Sequence, residues 1–229
     1  MRPVDKDNPP IDIKTGLAKT FNKYSHARRD LINTIGDYCS YCERHISVGI
    51  AVEHIEPKSI LKNAHLKLAW SNFLLGCVNC NSTKGTKDIV LDEYFWADND
   101  NTYAVFAYDK SGLVKVSSQL TNAQDIIKAK NTIILTGLDK IPPNEGTVEW
   151  EEASDNRVTQ RIQAFMDAKE EAEEYFMASF ETRKSMLRSI RKIVLGTGFW
   201  SIWMRAFENF PEVQKELINS FKGTRCEFF

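Results

Sequence analysis

The sequence predicts an α+β protein that is predominantly helical, and three observations carry that reading. Short runs of β-branched and aromatic residues occur in the first half, at 46–52 and 103–116. Beyond Pro142-Pro143-Asn144-Glu145-Gly146, a clear break, apolar residues recur at helical spacing. Two Cys-x-x-Cys pairs, Cys39/Cys42 and Cys77/Cys80, are separated by thirty-four residues, more than a simple zinc ribbon needs, so the extra length must form structure of its own.

Taken in order, residues 1–15 are rich in Pro and Asp and read as an extended tail or arm. Residues 16–37 read as a helix, with Leu17, Phe21, Tyr24, Leu31 and Ile35 along one side and Arg28 and Arg29 on it. Ile46–Val52 reads as a short hairpin with Gly49 near its turn. A short helix is expected from Cys77 to Lys84, stopped by Gly85. Tyr103–Tyr108 and Leu113–Val116 read as two strands around a turn at 109–112. In the C-terminal part, Val158, Ile162, Phe165, Ala172 and Phe176 mark one apolar helix face, and Met186, Leu187, Ile190, Ile193 and Val194 another. Gly196 and Gly198 interrupt. Phe199, Trp200, Ile202, Trp203 and Phe207 are expected in the core, and Pro211 opens a last helix with Val213, Leu217 and Phe221.

Composition narrows the class. At 229 residues and 42% hydrophobic, the chain can bury a sizeable core. It has no stretch long and apolar enough for a membrane span and opens without a signal-like apolar run, so a cytoplasmic location is the expectation. Five cysteines, an odd number, argue against a disulfide framework, and Cys226 is the spare thiol. A net charge of −1 lacks the basic field of a stand-alone nucleic-acid binder. Charge is uneven, however: residues 149–181 are acidic, while Arg183, Lys184, Arg188, Arg191 and Lys192 form a basic run. Either a local patch binds the substrate or a partner supplies much of the affinity, and the plainer reading of both runs is a solvated helix face.

The bracketed segment carries the chemistry. Cys39, Cys42, Cys77 and Cys80 supply four thiolates, the complement of a closed structural Zn²⁺ site. Between the pairs lies Glu53-His54-Ile55-Glu56-Pro57-Lys58. A neutral imidazole can take a proton near pH 7, and a carboxylate and an amide offer hard oxygens suited to Mg²⁺. Residues 53 and 54 point to opposite faces of a strand, so they serve one site only if the strand ends or twists there. Pro57 is consistent with such an ending. His26, His45 and His65 read as incidental, and Trp70 as core.

Cys39-x-x-Cys42, Glu53-His54-Ile55-x-Pro57-Lys58, Trp70-x-Asn72-Phe73-Leu74-Leu75, Cys77-x-x-Cys80-Asn81 and Lys84-Gly85 together resemble the zinc-containing HNH endonucleases over residues 38–87. The resemblance implies a ββα-metal unit with a structural zinc knuckle. It implies His54 as general base, Asn72 as a brace for the His54 loop, and Glu53 and Asn81 as ligands of a catalytic Mg²⁺ or Mn²⁺. Lys58 and Lys84 become candidate phosphate contacts. The expected products carry a 5′ phosphate and a 3′ hydroxyl. Many HNH proteins place Asp before the histidine; Glu53 is one methylene longer.

More widely, Met1-Arg2-Pro3-Val4, Ala51-Val52-Glu53-His54, Asp92-Glu93-Tyr94-Phe95-Trp96 and Asp100-Asn101-Thr102 resemble the PtuB-type subunits of Septu and retron-associated antiphage systems over about residues 1–120. That implies a nucleic-acid substrate (DNA favoured), an ATPase partner of the PtuA type, and association with a retron reverse transcriptase and its RNA/DNA. The expected division is a nuclease domain with N-terminal arm and helix at 1–100, then a β-hairpin and helical region at 101–229.

Two rivals stand beside this reading. A zinc deaminase would use His54-Ile55-Glu56 with Cys77-x-x-Cys80, but it leaves Cys39 and Cys42 without a task, and Gly76 stands where that motif has proline. An inactive zinc-knuckle binding module leaves His54, Asn72 and Asn81 without a task.

Overall fold

The structure, a computed structural model, describes residues 1–149 and 155–229. Residues 150–154 of the acidic run lie outside the described residues. In chain order the elements are α1 (Arg28–Ile35), β1 (Ala51–His54), β2 (Phe73–Gly76), α2 (Val78–Lys84), α3 (Thr102–Val105), β3 (Phe106–Tyr108), β4 (Val114–Val116) and α4 (Ala123–Thr136). The helices α5 (Arg157–Met177), α6 (Phe180–Thr197), α7 (Trp200–Ala206) and α8 (Pro211–Ser220) follow. The fold is mixed α+β, about half helical, and the sheets among the described residues are two-stranded.

β1 and β2 pair antiparallel, with Glu53 opposite Leu74 and His54 opposite Phe73, and α2 begins two residues after β2 ends. Cys77 caps α2, its Sγ accepting from the backbone N–H of Cys80, and Gly85 ends it. The helix thus runs as the sequence predicts. The hairpin does not: residues 46–50 are a loop, and the partner of β1 comes from 73–76. A local turn at Gly49 competes with Phe73–Gly76, a fully buried strand that offers β1 an apolar face.

Other elements also move. The helix expected over 16–37 is α-helical only from Arg28, after a 3₁₀ turn at Tyr24–Ala27. Upstream, the Asp12 carboxylate accepts from the N–H groups of Lys14 and Thr15 and closes a turn that pairs Ile11 with Ala18. Leu17 is left exposed as a result. Residues 1–6 are extended but do not form a loose tail. Met1 and Val4 are buried, and the Arg2 guanidinium donates to the Ile35 carbonyl at 2.6 Å and the Thr224 hydroxyl at 2.8 Å. Lys6 reaches the Ser71 carbonyl at 2.7 Å and Asp98 at 2.5 Å. The strand expected from Tyr103 starts at Phe106, because Asn101 caps a helical turn there first.

Two apolar clusters hold these parts. One joins the N-terminal residues, α1, the cysteine-rich hairpin, Ile89–Ala97 and α4; the other joins α5 to α8 around Trp200, Trp203 and Phe207. Phe199, Trp200, Trp203, Phe207 and Phe221 are core, as expected. The buried stripe of α5, however, is Arg157, Val158, Arg161, Ala164, Ala168 and Tyr175, while Phe176 is exposed. Two arginines replace the expected apolar residues because their charges have buried partners: Arg161 donates to the Gly112 carbonyl, and Arg157 reaches the cysteines described below. Of the basic run, Arg183 is not simply solvated; it donates to the Tyr175 and Phe176 carbonyls at the end of α5.

α6 ends where the chain presses against Glu43–His45. Gly198 has φ +84°, and a Cβ there would collide with the Glu43 carbonyl oxygen. Beside it, the buried Glu43 carboxylate accepts from the Ser201 hydroxyl at 2.6 Å and its N–H at 3.1 Å. Gly198→Ala is therefore expected to destabilise the protein by more than about 1 kcal/mol, read as a lower urea midpoint at unchanged slope. Among the described residues no helix is long and apolar enough to cross a membrane.

Candidate active site and zinc knuckle

The four cysteines of the two pairs come together. All are buried, and their sulfurs lie within 4.8 Å of one another. Cys42 and Cys77 Sγ are 3.8 Å apart. Thiolates placed tetrahedrally about 2.3 Å from a zinc ion stand about 3.8 Å from each other, so the cage has the size for that ion. The first pair is shaped by a tight turn in which the Glu43 N–H donates to the Cys39 carbonyl and Glu43 itself takes φ +65°. Across the pairs, the Cys77 N–H donates to Cys39 Sγ at 3.3 Å. Burial pushes the Cys42 and Cys80 thiols up, while hydrogen bonds from Cys39, Cys42 and Cys80 hold Cys77 far below its ordinary value. Four buried thiols this close suit a divalent cation that would take them as thiolates.

Arg157 approaches this cluster from α5. Its Nη1 donates to Cys80 Sγ at 3.1 Å and to the Thr136 carbonyl at 2.9 Å, and its Nη2 pairs with Asp155 at 2.7 Å. Burial opposes the charge, but Asp155 and Cys80 together raise the guanidinium pKa. Cys226 is exposed and outside the cluster.

β1 and α2 contribute to a cleft of about 430 Å³ lined by Glu53, His54, Lys58 and Asn81 together with Tyr24 and Arg28. β1 ends at His54, and both neighbours line the cleft despite the strand's alternation. The His54 ring sits edge-on to Tyr24 and Phe73 at centroid distances of 4.9 and 5.3 Å. Its Nε2 is 3.0 Å from the Lys67 carbonyl. A carbonyl only accepts, so Nε2 carries the proton and Nδ1 keeps its lone pair. Burial, together with the charges of Lys58, Lys84 and Lys67, lowers the His54 pKa even though the Lys67 carbonyl favours the charged form. The ring is a neutral base at pH 7.

Asn72 spans the base of the His54 loop. Its Oδ1 accepts from the Glu56 N–H at 2.7 Å and its Nδ2 donates to the Glu56 carbonyl at 3.0 Å, while its own carbonyl accepts from the Ile55 N–H. Lys58 sits 3.5 Å from the Tyr24 ring centroid at the cleft's edge.

Lys84 is placed differently from its expected contact with a phosphate. It is 1% exposed, pairs with Glu53 Oε1 at 2.8 Å and donates to the His54 carbonyl at 2.7 Å. The ammonium is turned inward because Glu53, itself buried, needs a counter-charge. The other Glu53 oxygen accepts from the Tyr41 hydroxyl at 2.5 Å. Burial raises the Glu53 pKa against the opposing pull of Lys84 and Tyr41.

The residues fit a hard divalent cation. Glu53 brings a carboxylate whose oxygens each have a further lone pair, and Asn81 a neutral amide oxygen. Gly76 leaves both side chains room: a Cβ there would lie 3.2 Å from Glu53 Cβ and 3.7 Å from Asn81 Cβ.

Residues 39–87 match the model of the HNH endonuclease family. The HNH match takes in both cysteine pairs, β1, β2 and α2, and it covers less than half of the chain. A comparison with curated proteins finds no match. Against the HNH pattern the deaminase rival fails on geometry. Among the described residues the group placed to hold a metal is Cys39, Cys42, Cys77 and Cys80, without His54. Sequence reasoning misses Tyr41 and the Lys67 carbonyl, and it reads Tyr24 only as part of an apolar helix side. Tyr41 had one available signal, its place inside a Cys-x-x-Cys turn.

Proposed function

We propose that the protein is a metal-dependent HNH endonuclease that hydrolyses phosphodiester bonds of nucleic acid, with DNA the favoured substrate. The observation that carries this is the convergence of His54, Glu53 and Asn81 on one cleft, with the His54 tautomer set by Lys67. In this reading His54 Nδ1 removes a proton from water as its oxygen attacks phosphorus. The bond from phosphorus to the 3′ oxygen breaks and that oxygen takes up a proton from solvent, leaving a 5′ phosphate and a 3′ hydroxyl. Glu53 and Asn81 would hold a Mg²⁺ or Mn²⁺ ion, which would supply stabilisation of negative charge on the phosphate and the leaving oxygen. Asn72 keeps the His54 loop in place, and Lys58 contacts a substrate phosphate. Lys84 serves Glu53 instead of the substrate. The knuckle holds Zn²⁺ through Cys39, Cys42, Cys77 and Cys80.

The resemblance over residues 1–120 supports a finer reading, in which the chain is the nuclease subunit of a cytoplasmic antiphage complex with a PtuA-type ATPase, with or without a retron. The net charge of −1 agrees with shared substrate binding. The test is cleavage of plasmid DNA and of structured RNA by the zinc-loaded protein with Mg²⁺ or Mn²⁺, alone and with such an ATPase. Cleavage that needs the added cation is expected. Intact substrates under all of these conditions would favour the binding-module reading.

A further inference from the structure

Glu53 is held from two sides, and one of the holders belongs to the zinc knuckle. Tyr41 lies between Cys39 and Cys42, so an ion held by those two sulfurs would fix where its backbone sits. Its ring is 1% exposed, and its hydroxyl donates to Glu53 Oε2 at 2.5 Å. On the other side, Lys84 from the last turn of α2 takes Oε1 at 2.8 Å. A carboxylate with both oxygens committed has lost its freedom to rotate about its terminal bond.

We infer that Tyr41 is a positioning residue that transmits the order of the zinc knuckle to the carboxylate of Glu53 and so sets the affinity of the cleft for its divalent cation. This rests on Glu53 being a ligand of that cation. It gives the extra methylene of Glu53 a purpose: the longer side chain reaches a tyrosine of the knuckle, and an aspartate would stop one carbon short. Oriented in advance, the carboxylate loses less freedom on meeting the ion, which favours binding.

The test is a titration of the zinc-loaded protein with Mn²⁺, following free Mn²⁺ by electron paramagnetic resonance. Tyr41→Phe removes one oxygen and no zinc ligand. It is expected to retain zinc at the wild-type stoichiometry and to bind Mn²⁺ about tenfold more weakly, in line with the loss of a hydrogen bond to a charged group. Glu53→Asp should weaken Mn²⁺ similarly, and adding Tyr41→Phe to it should cost little more. Glu53→Gln separates the two levels of the argument. If Glu53→Gln titrates like the wild type, the reading of Glu53 as a ligand fails. If Glu53→Gln weakens Mn²⁺ binding while Tyr41→Phe at full zinc leaves it unchanged, only the positioning role is overturned. Should Tyr41→Phe release zinc, Glu53→Asp alone decides: wild-type Mn²⁺ affinity in that variant overturns the inference.

Discussion

His54→Ala is expected to lower the cleavage rate by about 10²–10⁴-fold, the usual contribution of a positioned general base, while the zinc stoichiometry stays at the wild-type value. The knuckle is built without His54, so its loss leaves the four sulfurs in place. The pH profile supplies a second readout on the wild-type protein. Because burial depresses the His54 pKa, the neutral, active form dominates at pH 7 and is lost only as pH falls through that depressed value. The acidic limb of the rate profile should therefore lie below about 6.5, the ordinary histidine value. Wild-type cleavage by His54→Ala would remove the imidazole from the mechanism. A limb above 6.5 would contradict its buried setting.

The second large effect concerns stability. Lys84→Met removes one partner of an ion pair whose members are 1% and 2% exposed. Glu53 is then left buried with Tyr41 as its remaining donor, and the expected loss is about 3–5 kcal/mol, read by urea unfolding of the zinc-loaded protein. Combining Lys84→Met with Glu53→Gln should recover much of that loss, since no charge is then stranded. A single variant as stable as the wild type would mean that the lysine faces solvent and is free to meet a phosphate after all.

How much of this was legible follows from which interactions are local. A Cys-x-x-Cys turn and a helix bounded by Cys77 and Gly85 are written within a few residues, and both were readable. The partner of β1 was not, because strand pairing is settled by burial across the 55–72 loop. The early helix was over-extended since periodicity at Leu17 and Phe21 says nothing of the Asx turn at Asp12. On α5 the pattern favoured Phe176 over Arg157 and Arg161, as arginine is rarely a core residue unless it finds buried partners. Lys84 misled for the same reason: a lysine after a motif reads as a surface charge, and only the fold reveals the carboxylate it faces. At the site, the residue types told of base and ligands, but the carbonyl of Lys67, which decides the tautomer of His54, is a backbone atom that no side-chain motif encodes.

Arg157 gives the remote C-terminal half a stake in the metal cage. A zinc ion with four thiolates carries a surplus of two negative charges, and the guanidinium 3.1 Å from Cys80 Sγ offsets part of it. A fragment trimmed to the HNH match would possess every ligand yet lack that cation. It would surrender zinc to a chelator sooner than the intact chain, so the smallest piece that recognises the ion is not the smallest piece that keeps it.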